Sequence, residues 1–165
     1  MKGVYIMLID ESLINDAFNS WLEKHGFDAR IRGLEEEFFW GSETDTIAYC
    51  FVHPEKFIED FTFVCQDIGL QYEIDIFWLS FFHELGHSQT YHFIEDDEAW
   101  EADFLSGMDY YYCNREYYAT EWAVNFINTH IDWVIELMEC VRPAIVNFFA
   151  KNSIVDDEGA PIIPS

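Results

Sequence analysis

Residues 76–93 read IFWLSFFHELGHSQTYHF, and the fold turns on how that run is interpreted. Its first seven residues are almost all large and apolar on every side of a helix, the pattern of a central helix packed by neighbours on several faces. Two histidines and a glutamate then interrupt it. Imidazole and carboxylate groups buried without partners cost several kcal/mol, so the cluster either lies at a surface or is bound to something. The flanking IFWLSFF makes an exposed face hard to build.

Working outward, this helix is predicted from about Ile74 to about Thr90. Upstream, Leu13, Ile14, Ala17, Trp21 and Leu22 recur at helical spacing, with Gly26 as the stop. The stretch 29–54 holds two strand-like runs, EEFFW and TIAYCFV, separated by the turn-rich GSETD, which predicts an antiparallel hairpin closed by Pro54. Phe57, Phe61, Val64 and Cys65 then share one face of a helix ending near Gly69. Downstream, EDDEAWEADFLSGMDYYYCN reads as an irregular connection with at most one short helix. A long helical stretch follows over 115–141, with an apolar stripe of Ala119, Trp122, Ala123, Phe126 and Ile127. Arg142-Pro143 is expected to kink or restart it. The fold class is therefore α+β, mainly helical, with a small antiparallel hairpin and the 76–90 helix at the centre. One domain over 1–152 and a flexible tail over 153–165 account for the chain.

Composition narrows the chemistry. Aromatic residues make up 19% of the 165 residues, so the core should be built largely from rings. The apolar runs fall short of the roughly 20 residues that span a bilayer, and the opening MKGVYIMLIDESL makes a poor signal peptide, so a cytoplasmic protein is the expectation. Cys50, Cys65, Cys113 and Cys140 form no CxxC pair, which suggests buried thiols rather than a disulfide framework. Against 32 Asp and Glu stand 8 Lys and Arg, a formal net charge of −24. A polyanion would be repelled, and no basic patch is available to bind it. Electrostatically chosen partners should be basic.

His83-Glu84-Leu85-Gly86-His87 is an HExxH sequence. Residues four apart lie one turn above each other on a helix, so His83 and His87 can direct two nitrogens at one metal ion. Glu84 stands about 100° round from His83, off the metal but near enough to act on a water beside it. Catalytic zinc takes three ligands from protein, so a third is required. His92 lies off the shared face if the helix continues. Glu98 and Glu101 belong to what reads as a solvated acidic run. The best position is Glu116 on the next long helix, in REYYATEWA, with Glu121 as its rival. The two are about 140° apart on that helix, so only one of them can face the metal.

HELGH followed some thirty residues later by E-x-x-A-x-x-(F/W)-A resembles the ImmA/IrrE type of metallopeptidase, found in mobile elements, phages and bacterial stress systems. The likeness covers about residues 74–130. It implies a zincin-like domain with zinc held by His83, His87 and Glu116, and Glu84 as the general base of a metalloendopeptidase. It also implies a cytoplasmic setting in a bacterial or phage-infected cell. The family commonly carries Asn or Asp after the Ala of the second motif, where this chain has Thr120. Related enzymes act on DNA-binding repressors, and the net charge fits a basic protein substrate of that kind. The alternative from composition is an acidic DNA mimic or inhibitor-type binding protein that retains a zinc site without proteolysis.

Overall fold

The computed structural model describes residues 10–91 and 110–152. The apolar opening, most of the acidic connection (with His92, Glu98 and Glu101) and the expected tail 153–165 lie outside the described residues. The architecture is α+β: helices gathered around a central one, with a small three-stranded sheet against them.

Helix α1 (Ser12–Lys24) buries Ile14, Phe18, Trp21 and Leu22, while Leu13, expected inside, is 53% exposed. Strands β1 (Arg30–Leu34), β2 (Phe39–Gly41) and β3 (Thr46–Tyr49) follow. The predicted hairpin is present as β2–β3, with Trp40 opposite Ile47. Strand β1 is an addition that the sequence did not predict, and it pairs parallel with β3, giving the order β1-β3-β2. Only Ile31 and Gly33 of RIRGL are buried, too few apolar positions to mark a strand. Strand β3 is the middle strand, paired on both sides, so Thr46–Tyr49 present no free edge.

Helix α2 (Glu55–Ile68) ends as expected at Gly69, whose φ of 116° is left-handed and suits glycine. Helix α3 (Ile76–Thr90) is the central helix; Asp75 caps it by accepting a hydrogen bond from the Phe77 N–H at 3.0 Å. A short 3₁₀ turn over Tyr110–Tyr112 leads into α4 (Asn114–Thr129), which lies along α3. The expected continuous helix beyond 129 is instead broken at His130, where φ −129° and ψ 42° leave the helical region. Its carbonyl accepts the first bonds of α5 (Ile131–Asn152) from Trp133 and Val134.

Pro143, expected to kink or restart the chain, lies inside α5. Pro143 and Glu139, one turn earlier, are both exposed, so water can take the hydrogen bond that proline forfeits. The buried stripe Val134, Leu137, Val141, Ile145 and Phe148 runs through without a step. All these elements feed one contiguous hydrophobic cluster, from Ile14 on α1 to Phe149 on α5. The four cysteines are free thiols and three are buried; burial pushes the Cys65 thiol up to about 12. No described helix is long and apolar enough to cross a membrane.

Candidate metal centre

The approach of α3 to α4 is set by two small residues. A Cβ built on Gly86 would fall on the backbone of Ala119, 3.0 Å from its Cα and its carbonyl carbon. Only glycine permits this crossing, and the closeness brings carboxylates on one helix within reach of imidazoles on the other.

His83 is 6% exposed and Glu116 8%. His83 Nε2 lies 2.7 Å from Glu116 Oε2. His87 Nε2 is 3.1 Å from the same oxygen and 3.1 Å from His83 Nε2. The triangle is slightly tighter than that of donors around tetrahedral zinc, which stand about 3.3 Å apart. His83, Glu84 and His87 also offer ligand atoms within 4.8 Å of one another, and this group could hold a metal ion. Of the two rival carboxylates, Glu116 meets both imidazoles, whereas Glu121 on the same helix is turned toward Tyr117.

Thr120 decides the protonation of His83. Its hydroxyl donates to the Glu116 backbone carbonyl at 2.9 Å, which uses its single hydrogen. The same oxygen lies 2.9 Å from His83 Nδ1, so it accepts, and Nδ1 carries the proton. A neutral His83 then turns a lone pair on Nε2 toward a carboxylate oxygen. Two acceptors at 2.7 Å repel unless a positive charge lies between them or on the ring, and that is the requirement of a metal ligand held in one tautomer. The donor set of two imidazoles and a carboxylate suits zinc and other divalent first-row ions.

The charges answer one another in the same sense. Burial works against an imidazolium at His83, but the hydrogen bond and charge of Glu116, aided by Glu84, carry it above its ordinary value. Burial would likewise raise Glu116, but hydrogen bonds from His83 and His87 outweigh it and hold the carboxyl well below the usual carboxylate range. At Glu84 burial wins over the two imidazoles, and the carboxyl lies above its ordinary value.

Several residues around the centre were not singled out by sequence. The Trp40 backbone N–H hydrogen-bonds to Glu84, and the Trp40 indole lies parallel to the His87 ring at 6.3 Å between centroids. Asp45, in the hairpin turn with φ of 49°, fixes that arrangement. Its Oδ1 accepts from Trp40 Nε1 at 2.8 Å and from Ser88 Oγ on α3 at 2.7 Å. Among the tyrosines of DYYYCNREYY, Tyr110 donates to Glu116 Oε1 at 2.8 Å, and the Tyr111 ring lies edge-on to His83. Nothing local marks Trp40 or Asp45 as part of the site, because their partners on α3 are about forty residues away. Thr120 stood out only as a departure from a family pattern.

Comparison with protein-family models, with curated proteins and with solved structures finds no match for this chain.

Proposed function

We propose that the protein is a zinc metallopeptidase of the ImmA/IrrE type, hydrolysing a peptide bond in a basic protein substrate such as a DNA-binding regulator. The observation that carries the reading is the convergence of His83 Nε2 and His87 Nε2 on one oxygen of Glu116, at 2.7 and 3.1 Å, with His83 held through Nδ1 by the Thr120 hydroxyl. His83, His87 and Glu116 would hold the ion. When bound, zinc supplies a more acidic water and polarises a carbonyl.

Glu84 takes a proton from the attacking water and returns it to the leaving amine. The raised carboxyl favours that return, since a stronger base near neutral pH exchanges protons more readily. Tyr110, already bonded to Glu116, fixes the carboxylate's second oxygen and its orientation. The Trp40 N–H holds Glu84 in place while the indole covers one face of His87.

Metal analysis of the purified protein beside His83→Ala, Glu116→Ala and Glu121→Ala tests the centre. One zinc per chain, lost in the first two variants and kept in the third, is expected. Glu84→Gln should keep the zinc and lower turnover by about 10²–10⁴-fold; undiminished proteolysis in that variant would overturn the assignment. The net charge of −24 also favours a second reading, an acidic binding protein that occupies a basic partner. Binding that persists in Glu84→Gln and in metal-free protein, with no cleavage, would favour that one.

A further inference from the structure

We infer that the cavity beside Glu84 is the specificity pocket of this site and that it selects an arginine side chain of the substrate. The word substrate rests on the peptidase reading; the recognition of a guanidinium does not.

The cavity holds about 380 Å³ and is continuous with the centre, since His83, Glu84 and Glu116 form part of its wall. That volume lies in the lower range of small-ligand sites, enough for one large side chain and its adjoining backbone. Away from the centre its wall is aromatic. Phe38, His53, Phe57 and Phe61 form a near-parallel ladder, with successive centroids 5.8, 5.7 and 5.6 Å apart and interplanar angles of 14°, 19° and 19°. A planar guanidinium stacks on such surfaces, and its apolar stem packs along them.

The lining carries four carboxylates, Glu36, Glu37, Glu84 and Glu116. The exposed carboxylates of Glu36 and Glu37 stand on its open side. Ser80, 2% exposed, and His53 form part of the wall, their Oγ and Nε2 buried without a hydrogen-bond partner. Burial pushes the His53 ring below its ordinary value, so it is neutral at physiological pH. No lysine or arginine is found among the described residues of the lining. An acidic side chain would be repelled by Glu36, Glu37 and Glu84, and an apolar one would leave those carboxylates without a partner in the cavity. The five donors of a guanidinium answer both faults at once.

The test is direct binding of blocked amino acids to the wild-type protein, followed by NMR. N-acetyl-arginine amide is expected to bind about tenfold tighter than N-acetyl-citrulline amide, which has the same shape without the charge. It should also bind tighter than N-acetyl-phenylalanine amide. The preference should shrink to about threefold or less in Glu36→Gln/Glu37→Gln, a surface double variant that leaves the core untouched, and should weaken as salt rises. Equal binding of the arginine and citrulline probes, tighter binding of the phenylalanine probe, or no saturable binding up to about 10 mM would overturn the inference. Digestion of a peptide library separates the two readings. Cleavage without a preference for arginine removes the pocket assignment and leaves the peptidase. An arginine probe bound by a protein that cleaves nothing removes the peptidase and leaves the pocket.

Discussion

The two halves of α3, the first buried throughout and the second with Glu84 and His87 half-buried, are built on opposite principles. From Phe77 to Phe82 the helix meets rings: Phe18 alone lies within 6.2 Å, centroid to centroid, of Phe77, Trp78 and Phe81. From His83 to Ser88 it meets α4 across Gly86, and the groups facing each other are imidazoles, carboxylates and a hydroxyl. In the first half, any ring of about the right size would serve, because dispersion and burial are non-directional. In the second, each polar group is tolerable only because a specific partner stands within hydrogen-bond distance. Stability is therefore expected to reside in one half and metal affinity in the other.

The largest effect should come from Phe18→Ala. Removing a fully buried ring costs about 3–5 kcal/mol, yet the zinc content of the folded fraction should stay at one per chain. Denaturant unfolding with metal analysis checks this, and loss of zinc from folded protein would mean that the halves are not separable.

Gly86→Ala attacks the other half. The new methyl must push α3 and α4 apart, an overpacking cost of about 1–3 kcal/mol, and here zinc affinity should fall with the melting temperature. A variant that melts lower but binds zinc as tightly as wild type would show that the crossing does not set the metal geometry.

Thr120→Val keeps shape while deleting the hydroxyl that fixes His83. A roughly 10–100-fold loss of zinc affinity is expected, with little change in the fold, read by competition with a chromogenic chelator. Unaltered affinity would dismiss Thr120 as a determinant of the tautomer.

The smallest effect belongs to Glu136 on α5, whose partners are Lys24, the last residue of α1, and His25 just after it. The hydrogen bonds from these two hold its carboxyl below the ordinary value. The pair therefore stabilises the fold above the ordinary carboxylate pKa, and that contribution is lost as pH falls through the lowered one. Being partly exposed, it contributes under about 1 kcal/mol. Glu136→Gln should accordingly narrow the stability difference between pH 7 and pH 3 only slightly, in thermal melts at the two pH values, with zinc content unchanged.

This division also explains what the sequence made legible. The aromatic half of α3 needs no partner to be identified, since a run apolar on all sides has only one place to go. HELGH was legible as a pair of imidazoles one turn apart. The preference for Glu116 over Glu121 came from family resemblance, whereas the structure distinguishes them by the direction in which α4 presents its Gly86-facing side. Strand β1 was hidden because its alternate residues are Arg30 and Arg32, the latter lying over the Phe39 ring at 5.3 Å. The break at His130 has no Gly or Pro to announce it, and Pro143 announced one that an exposed helix face absorbs.

Asp45 joins these parts in a way that bears on how the chain folds. Its backbone carbonyl accepts from the Arg30 N–H of β1, while its side chain accepts from Trp40 of β2 and Ser88 of α3. One left-handed turn residue is thus the common anchor of three segments. The hairpin cannot swing off α3 while keeping these bonds, so closing the sheet and covering His87 belong to the same cooperative event. The native sheet and the His83–His87–Glu116 cluster are therefore expected to form together.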